Sequence, residues 1–172
     1  MASAHHTSEP ELFAPLHVIV VESPIGKLWV ESDGELITQV SFTALRSSQA
    51  RTPGLLLDAG KQLVAYFSRK RKRFELPVQH SGTRFQRMVM ESLMDVPFGR
   101  TVTYQAVAAR IGGKAAARTV GQACISNHTP ILVPCHRVVG GNGLLSDYVG
   151  GLWRKRWLLQ HEASLPDRTS ER

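Results

Sequence analysis

No apolar run in the 172-residue chain approaches the length of a membrane span, which excludes a transmembrane helix as an organising element. Cysteine is nearly absent: only Cys124 and Cys135 occur. Two thiols make neither a disulfide framework nor a zinc site, so no metal and no cofactor are expected. Residues 1–14 carry histidines and acids but no apolar stretch of the signal-peptide kind, and read as a disordered tail. The polar residues 164–172 read the same way. Free thiols without a leader fit a cytoplasmic protein. Acidic residues are few in the second half. Residues 1–80 hold 9 Lys/Arg against 8 Asp/Glu, and residues 81–172 hold 12 against 6, so the second half carries +6 of the net +7. A basic half suggests a polyanionic partner.

What is present divides near residue 80. In residues 15–80, Leu16 to Glu22, Lys27 to Ser32 and Glu35 to Phe42 are strand-like, with Asp33-Gly34 as a hairpin turn. Leu55 to Ser68 has helical spacing at Leu56, Ala59, Leu63 and Tyr66, and Phe74 to Val78 reads as a further short strand. The basic run Arg69 to Arg73 reads as a helix end, where cations suit the helix dipole. Residues 81–163 read as mostly helical. Arg84 to Val96 is amphipathic and stops at Pro97-Phe98-Gly99, Thr103 to Ile111 follows with Thr101 or Thr103 as N-cap, and Lys114 to Ser126 is rich in alanine. The turn Gly112-Gly113 between the last two makes a helix-turn-helix. Leu152 to His161 is the final helix, with Arg154, Lys155 and Arg156 assigned to its exposed side.

The stretch with chemistry is Pro134-Cys135-His136-Arg137-Val138. The run Ile131-Leu132-Val133 reads as a buried strand that the proline stops. A thiol, an imidazole and a guanidinium then follow at one strand end. Nearby positive charge or a base lowers a thiol pKa and makes a nucleophile. A buried structural thiol is the plain alternative. Residues i and i+1 do not face each other on a helix, so Cys135 and His136 need a bridging water or irregular backbone to exchange a proton.

The second half, from about Thr83 to Glu162, closely resembles the O6-alkylguanine-DNA alkyltransferases. The resemblance is carried by Thr83-Arg84-Phe85-Gln86, Val96-Pro97-Phe98-Gly99, Thr103-Tyr104, Ala117-Arg118-Thr119-Val120-Gly121, Asn127, Pro130 to Val138, Tyr148-Val149-Gly150-Gly151 and Trp157 to Glu162. The first half resembles the family in Ser23-Pro24-Ile25-Gly26 and Ala65-Tyr66-Phe67. The resemblance implies an α+β chain: an N-terminal ribonuclease-H-like antiparallel sheet with a helix, then a helical DNA-binding domain containing a helix-turn-helix. It implies direct-reversal DNA repair, in which an alkyl group passes irreversibly from O6-alkylguanine to the protein in a single turnover. O4-alkylthymine is left open as a second substrate. The partner would be double-stranded DNA, met through the minor groove by a monomer, with cooperative assembly on DNA left open.

The family also implies roles. Cys135 would accept the alkyl group, His136 would take the thiol proton through a water, Glu162 would orient His136, and Asn127 would brace the turn. Tyr104 would rotate the target phosphate and hydrogen-bond the guanine. Arg118 would fill the gap left by the flipped base. The backbone of Val138 and Cys135 would read the guanine amine, and the Tyr148–Val149 loop would close the pocket and donate to O6. Met90 stands where the family often has tryptophan, Val149 where it often has a small or hydroxyl residue, and His128-Thr129 where a proline-containing pair is frequent. Two other functions compete. One is a non-catalytic alkylated-DNA-binding protein, against which the presence of Cys135 argues. The other is a cysteine hydrolase, which needs a histidine from a distant segment and an oxyanion hole.

Overall fold

The computed structural model describes residues 16–47, 52–112 and 117–162. The two expected tails and the first turn of the alanine-rich helix at Lys114 to Ala116 lie outside these residues. The first half is a three-stranded antiparallel sheet, β1 (His17–Val21), β2 (Leu28–Ser32) and β3 (Ile37–Ser41), in the order β1-β2-β3. Alternation on β2 puts Leu28, Val30 and Ser32 inward. The hairpin between β2 and β3 closes on Asp33, whose Oδ1 accepts from the amides of Glu35 and Leu36 at 2.9 and 2.8 Å.

Helix α1 (Gly54–Phe67) lays Leu56, Ala59, Leu63 and Tyr66 on that sheet. It stops in a left-handed residue. Arg69 has φ 60°, and the amides of Arg69 and Lys70 return to the carbonyls of Tyr66 and Ala65 at 2.9 and 2.8 Å. This is a Schellman motif with arginine where glycine is usual. The basic run therefore begins just past the helix rather than within its last turn.

The expected strand Phe74 to Val78 is extended but makes only a single bridge, Ile37 to Val78. Pro77 has no N–H to carry a ladder further. A larger departure concerns Ile131 to Val133. It is a buried turn and not a strand, with Ile131 at φ 77° and the Val133 amide donating to the Thr129 carbonyl at 2.9 Å. A β-branched residue at positive φ is strained. Its side chain is 1% exposed, and that burial holds it there.

In the second half, α2 (Arg84–Met94) opens with a capping box between Thr83 and Gln86. A two-residue strand, β4 (Val102–Thr103), leads into α3 (Tyr104–Arg110), with Thr103 as N-cap. Helix α4 (Ala117–Ile125) packs on α2 and α3. A 3₁₀ turn, Cys135–Arg137, is followed by β5 (Val138–Val139), which pairs in parallel with β4. Helix α5 (Leu152–His161) is last. One hydrophobic core runs through both halves, from Val30 and Leu63 to Val89, Val120 and Leu158. The aromatic residues Tyr66, Phe67, Phe98, Trp157 and His161 stitch the end of α1 to the end of α5, with ring centroids 4.8 to 6.4 Å apart.

The left-handed Arg69 yields a stability prediction. Arg69→Gly removes the Cβ penalty at the cap, less the extra chain entropy of glycine, and should stabilise by about 0.5–1 kcal/mol. Urea unfolding measures it. An unchanged or lowered midpoint would mean that the arginine side chain itself holds the cap.

Candidate active site

Pro134 places the cysteine. With φ −82° and ψ 58° it forms an inverse γ-turn, and the Cys135 amide donates to the Val133 carbonyl at 2.8 Å. Cys135 thus enters the 3₁₀ turn as its first residue and is 2% exposed. Asn127, just past α4, braces this geometry. Its Nδ2 donates to the Val133 carbonyl and to Cys135 Sγ, both at 3.0 Å, while its Oδ1 accepts from the Thr129 amide at 3.0 Å.

His136 points away from the sulfur's hydrogen-bond partners, toward Glu162 at the end of α5. Its Nε2 lies 2.8 Å from Glu162 Oε1. A carboxylate accepts, so Nε2 carries the proton and Nδ1 keeps its lone pair. That Nδ1 is buried and has no protein partner among the described residues.

Glu162 gathers five donors. Tyr66 Oη donates at 2.7 Å, His136 Nε2 at 2.8 Å, Arg137 Nε and Nη2 at 2.9 and 3.0 Å, and the Gly99 amide at 3.1 Å. Gly99 is required there. It has φ 75°, and a Cβ would stand 3.0 Å from the Glu162 carbonyl oxygen. Arg137 also donates to the Val96 carbonyl.

Burial pushes the Glu162 carboxyl up, but the His136 and Arg137 contacts outweigh it and hold the group far below the ordinary carboxylate range. Burial pushes His136 below its ordinary value, against the pull of Glu162. With His136 neutral, Arg137 is the cation that compensates Glu162.

The expectation that Arg137 activates the thiol is therefore corrected: its guanidinium is committed to Glu162. Burial pushes the Cys135 thiol up to about 11, opposed by the Asn127 amide and by Lys155. Lys155, not Arg137, is thus the cation whose charge favours the thiolate, and the assignment of its side chain to the exposed face of α5 is also corrected. It is 1% exposed, and its Nζ donates to Tyr104 Oη at 3.2 Å and to the Ser146 carbonyl at 3.3 Å. Helical spacing carried the signal, since Lys155 lies three and four residues before the buried Leu158 and Leu159. Tyr66, Arg137 and Gly99 are further partners that the motif alone did not connect to Glu162.

The remaining expected residues lie on α3, α4, β5 and the loop before α5. Tyr104 Oη accepts from Ser146 Oγ at 2.7 Å as well as from Lys155, so its own proton is free to be donated. Tyr104, Arg118, Gly121 and Ser146 line an open hollow of about 390 Å³, and Arg118 is exposed at its rim. Val138 is buried, and its amide returns to the Cys135 carbonyl. Tyr148 packs its ring edge-on to His136, centroids 6.5 Å apart, and Val149 is 40% exposed. Among the described residues no His/Cys/Asp/Glu cluster could hold a metal. None of their helices is long and apolar enough to cross a membrane.

A buried thiol on a turn braced by an asparagine amide, next in sequence to an imidazole polarised by a carboxylate, defines a protein that uses cysteine as a nucleophile. Comparison with known proteins narrows the class. The family profile described as the 6-O-methylguanine DNA methyltransferase ribonuclease-like domain matches residues 16–80, and that described as the DNA binding domain of the same family matches residues 84–164. The methylated-DNA–protein-cysteine methyltransferase of Mycobacterium tuberculosis H37Rv is 38% identical over 154 residues, covering 87% of this chain and 93% of the relative. The constitutive enzyme of Bacillus subtilis is 37% identical over 139 residues, 75% of this chain and 84% of its own. The crystal structure of M. tuberculosis OGT in complex with DNA superposes with a TM-score of 0.78 at 39% identity, covering 86% of this chain and 93% of that one. The chain belongs to the 6-O-methylguanine DNA methyltransferase family.

The buried relay has a pH signature. His136 and Glu162 both have folded pKa values below their ordinary 6.5 and 4.5. The unfolded chain therefore takes up protons first, and stability present at neutral pH is lost on acidification, through His136 below about pH 6.5 and through Glu162 below about pH 4.5. Glu162→Gln should lower the melting temperature at pH 7 and flatten its further fall between about pH 5 and pH 3. A variant whose melting temperature falls in parallel with the parent's would assign the acid sensitivity to other groups.

Proposed function

We propose that this chain repairs DNA by direct reversal, moving an alkyl group from O6 of guanine to Cys135 Sγ. Family membership supports the reaction and DNA as partner, since the relatives are named for that transfer and one is solved with DNA. The observation that carries the assignment to Cys135 is the convergence of the Asn127 amide and the His136–Glu162 pair on its turn.

In this reading His136 Nδ1 takes the thiol proton through a bridging water, and Glu162 steadies the imidazolium that results. The sulfur attacks the alkyl carbon, the C–O6 bond breaks with its electron pair on the guanine, and the guanine takes up one proton, the equivalent of the one that His136 received from the thiol. Charge forms on sulfur first and on the base next, and both are stabilised by a preorganised site. Lys155 faces the first charge, and Tyr104, whose oxygen accepts from Lys155 and Ser146, donates toward the second. The backbone of Cys135 and Val138 reads the guanine amine, and the Val149 amide donates to O6. The thioether product has no leaving group to reverse through, so each chain acts once.

A base must leave the duplex to reach a buried sulfur. We assign α3 and α4 as a helix-turn-helix that enters the minor groove, with Arg118 filling the vacated stack. The chain is read as acting as a monomer in the cytoplasm, where its free thiols stay reduced.

Intact-mass measurement after incubation with O6-benzylguanine tests the reading. A single benzyl adduct should appear on Cys135 and be absent in Cys135→Ser, whose hydroxyl stays protonated. An unmodified parent chain, or a modified Cys135→Ser, would overturn it.

Arg118 separates flipping from chemistry. Arg118→Ala should slow single-turnover repair of duplex O6-methylguanine by on the order of 10- to 100-fold at saturating protein, while free O6-benzylguanine reacts at the parent rate. A defect that vanishes at saturation would make Arg118 a phosphate contact.

A further inference from the structure

Residues 140–151, between β5 and α5, contain no strand or helix, yet they carry the wall opposite the cysteine turn. The contacts that hold the end of this segment come from the N-terminal half. Phe42, one residue past β3, meets Tyr148 edge-on with centroids 6.2 Å apart and planes at 61°. Gly150 lies against the same ring so tightly that a Cβ would come to 2.5 Å from a Phe42 carbon. Arg154 covers the ring's other neighbours. Its guanidinium lies 4.7 Å from the Phe42 centroid and 4.3 Å from that of Trp153. Its Nε donates to the Ile25 carbonyl at 2.9 Å, and its Nη1 to the Gly150 carbonyl at 2.8 Å.

Arg154 thus bonds one carbonyl of the N-terminal half and one carbonyl of the active-site segment, and stacks on the aromatic ring that separates them. Planar stacking with divergent donors is a task for which lysine is no substitute. The chain of contacts continues inward, because Tyr148 meets the His136 ring on its inner side.

We infer that Phe42 and Arg154 form a clamp by which the N-terminal sheet sets the position of the Tyr148–Gly150 wall, making both of them positioning residues for alkyl transfer. The clamp rests on the reading of that segment as the O6 side of the pocket. It touches neither sulfur nor base. Its effect is on alignment, where a displacement of about 1 Å is enough to lower a rate by up to 100-fold.

The test compares the parent with Phe42→Tyr, Phe42→Leu and Arg154→Met, using two probes of Cys135. One is single-turnover alkylation at saturating free O6-benzylguanine, which needs the wall. The other is alkylation by iodoacetamide, a small electrophile that needs only access to the sulfur. Phe42→Leu and Arg154→Met should lose on the order of 10-fold in the benzyl-transfer rate, yet react with iodoacetamide as fast as the parent or faster. Phe42→Tyr keeps the ring and should stay within about twofold on both probes. Benzyl transfer within about twofold of the parent in Phe42→Leu and Arg154→Met would overturn the clamp. So would an equal loss on both probes, which would place the defect in the thiol. A parent chain that takes no benzyl group would overturn the functional reading itself, and the clamp with it.

Discussion

The structure depends on satisfying one buried carboxylate. Glu162 has lost its water, and an unpaired charge in that position would cost several kcal/mol. Five donors replace the water, and they come from every part of the chain: Tyr66 from α1, Gly99 from the turn after α2, and His136 and Arg137 from the cysteine turn. The same contacts that compensate the charge lock the end of α5, the cysteine turn and the N-terminal half against one another. Charge compensation and the orientation of the imidazole are here a single arrangement, because the oxygen that accepts from Tyr66 is also the one that fixes the tautomer of His136.

That arrangement divides the labour of the cations. Arg137, with its planar fork, takes the carboxylate through two nitrogens. Lys155, a point charge on a flexible stem, is left to the sulfur and to the Tyr104 hydroxyl. The thiol stays protonated in the resting site because burial outweighs these influences.

Much of this was legible in the sequence, and for stated reasons. Periodicity located β1 to β3, α1, α2 and α5, because each buries one face on a neighbour. Of the two threonines offered as N-cap of α3, Thr103 is the one whose side-chain oxygen accepts from the helix. The Pro-Cys-His-Arg-Val motif pointed to the turn on which Cys135, His136 and Arg137 sit together. The failures were tertiary. Ile131 to Val133 has a strand's composition, but burial forces it through a turn that its own propensity opposes. β4 and β5 span two residues each, too short for any pattern. Lys155 sits between two arginines and looked like a solvated face, whereas the core beneath it needed a cation. Tyr66 stood out as an apolar position of α1 and within the family-like Ala65-Tyr66-Phe67, but not as a partner of Glu162, which lies 96 residues away.

The β4–β5 pairing joins the start of α3 to the cysteine turn by its backbone. Tyr104 follows β4 directly, and the cysteine turn precedes β5 directly, so a rung from Val102 to Val138 and another from Thr103 to Val139 are all that separates the two. Peptide geometry gives such a rung little slack. The backbones that carry the tyrosine and the cysteine are accordingly held at a fixed separation. The segment Tyr148 to Gly150 belongs to no strand or helix, and side chains alone, Phe42, His136 and Arg154, meet it there.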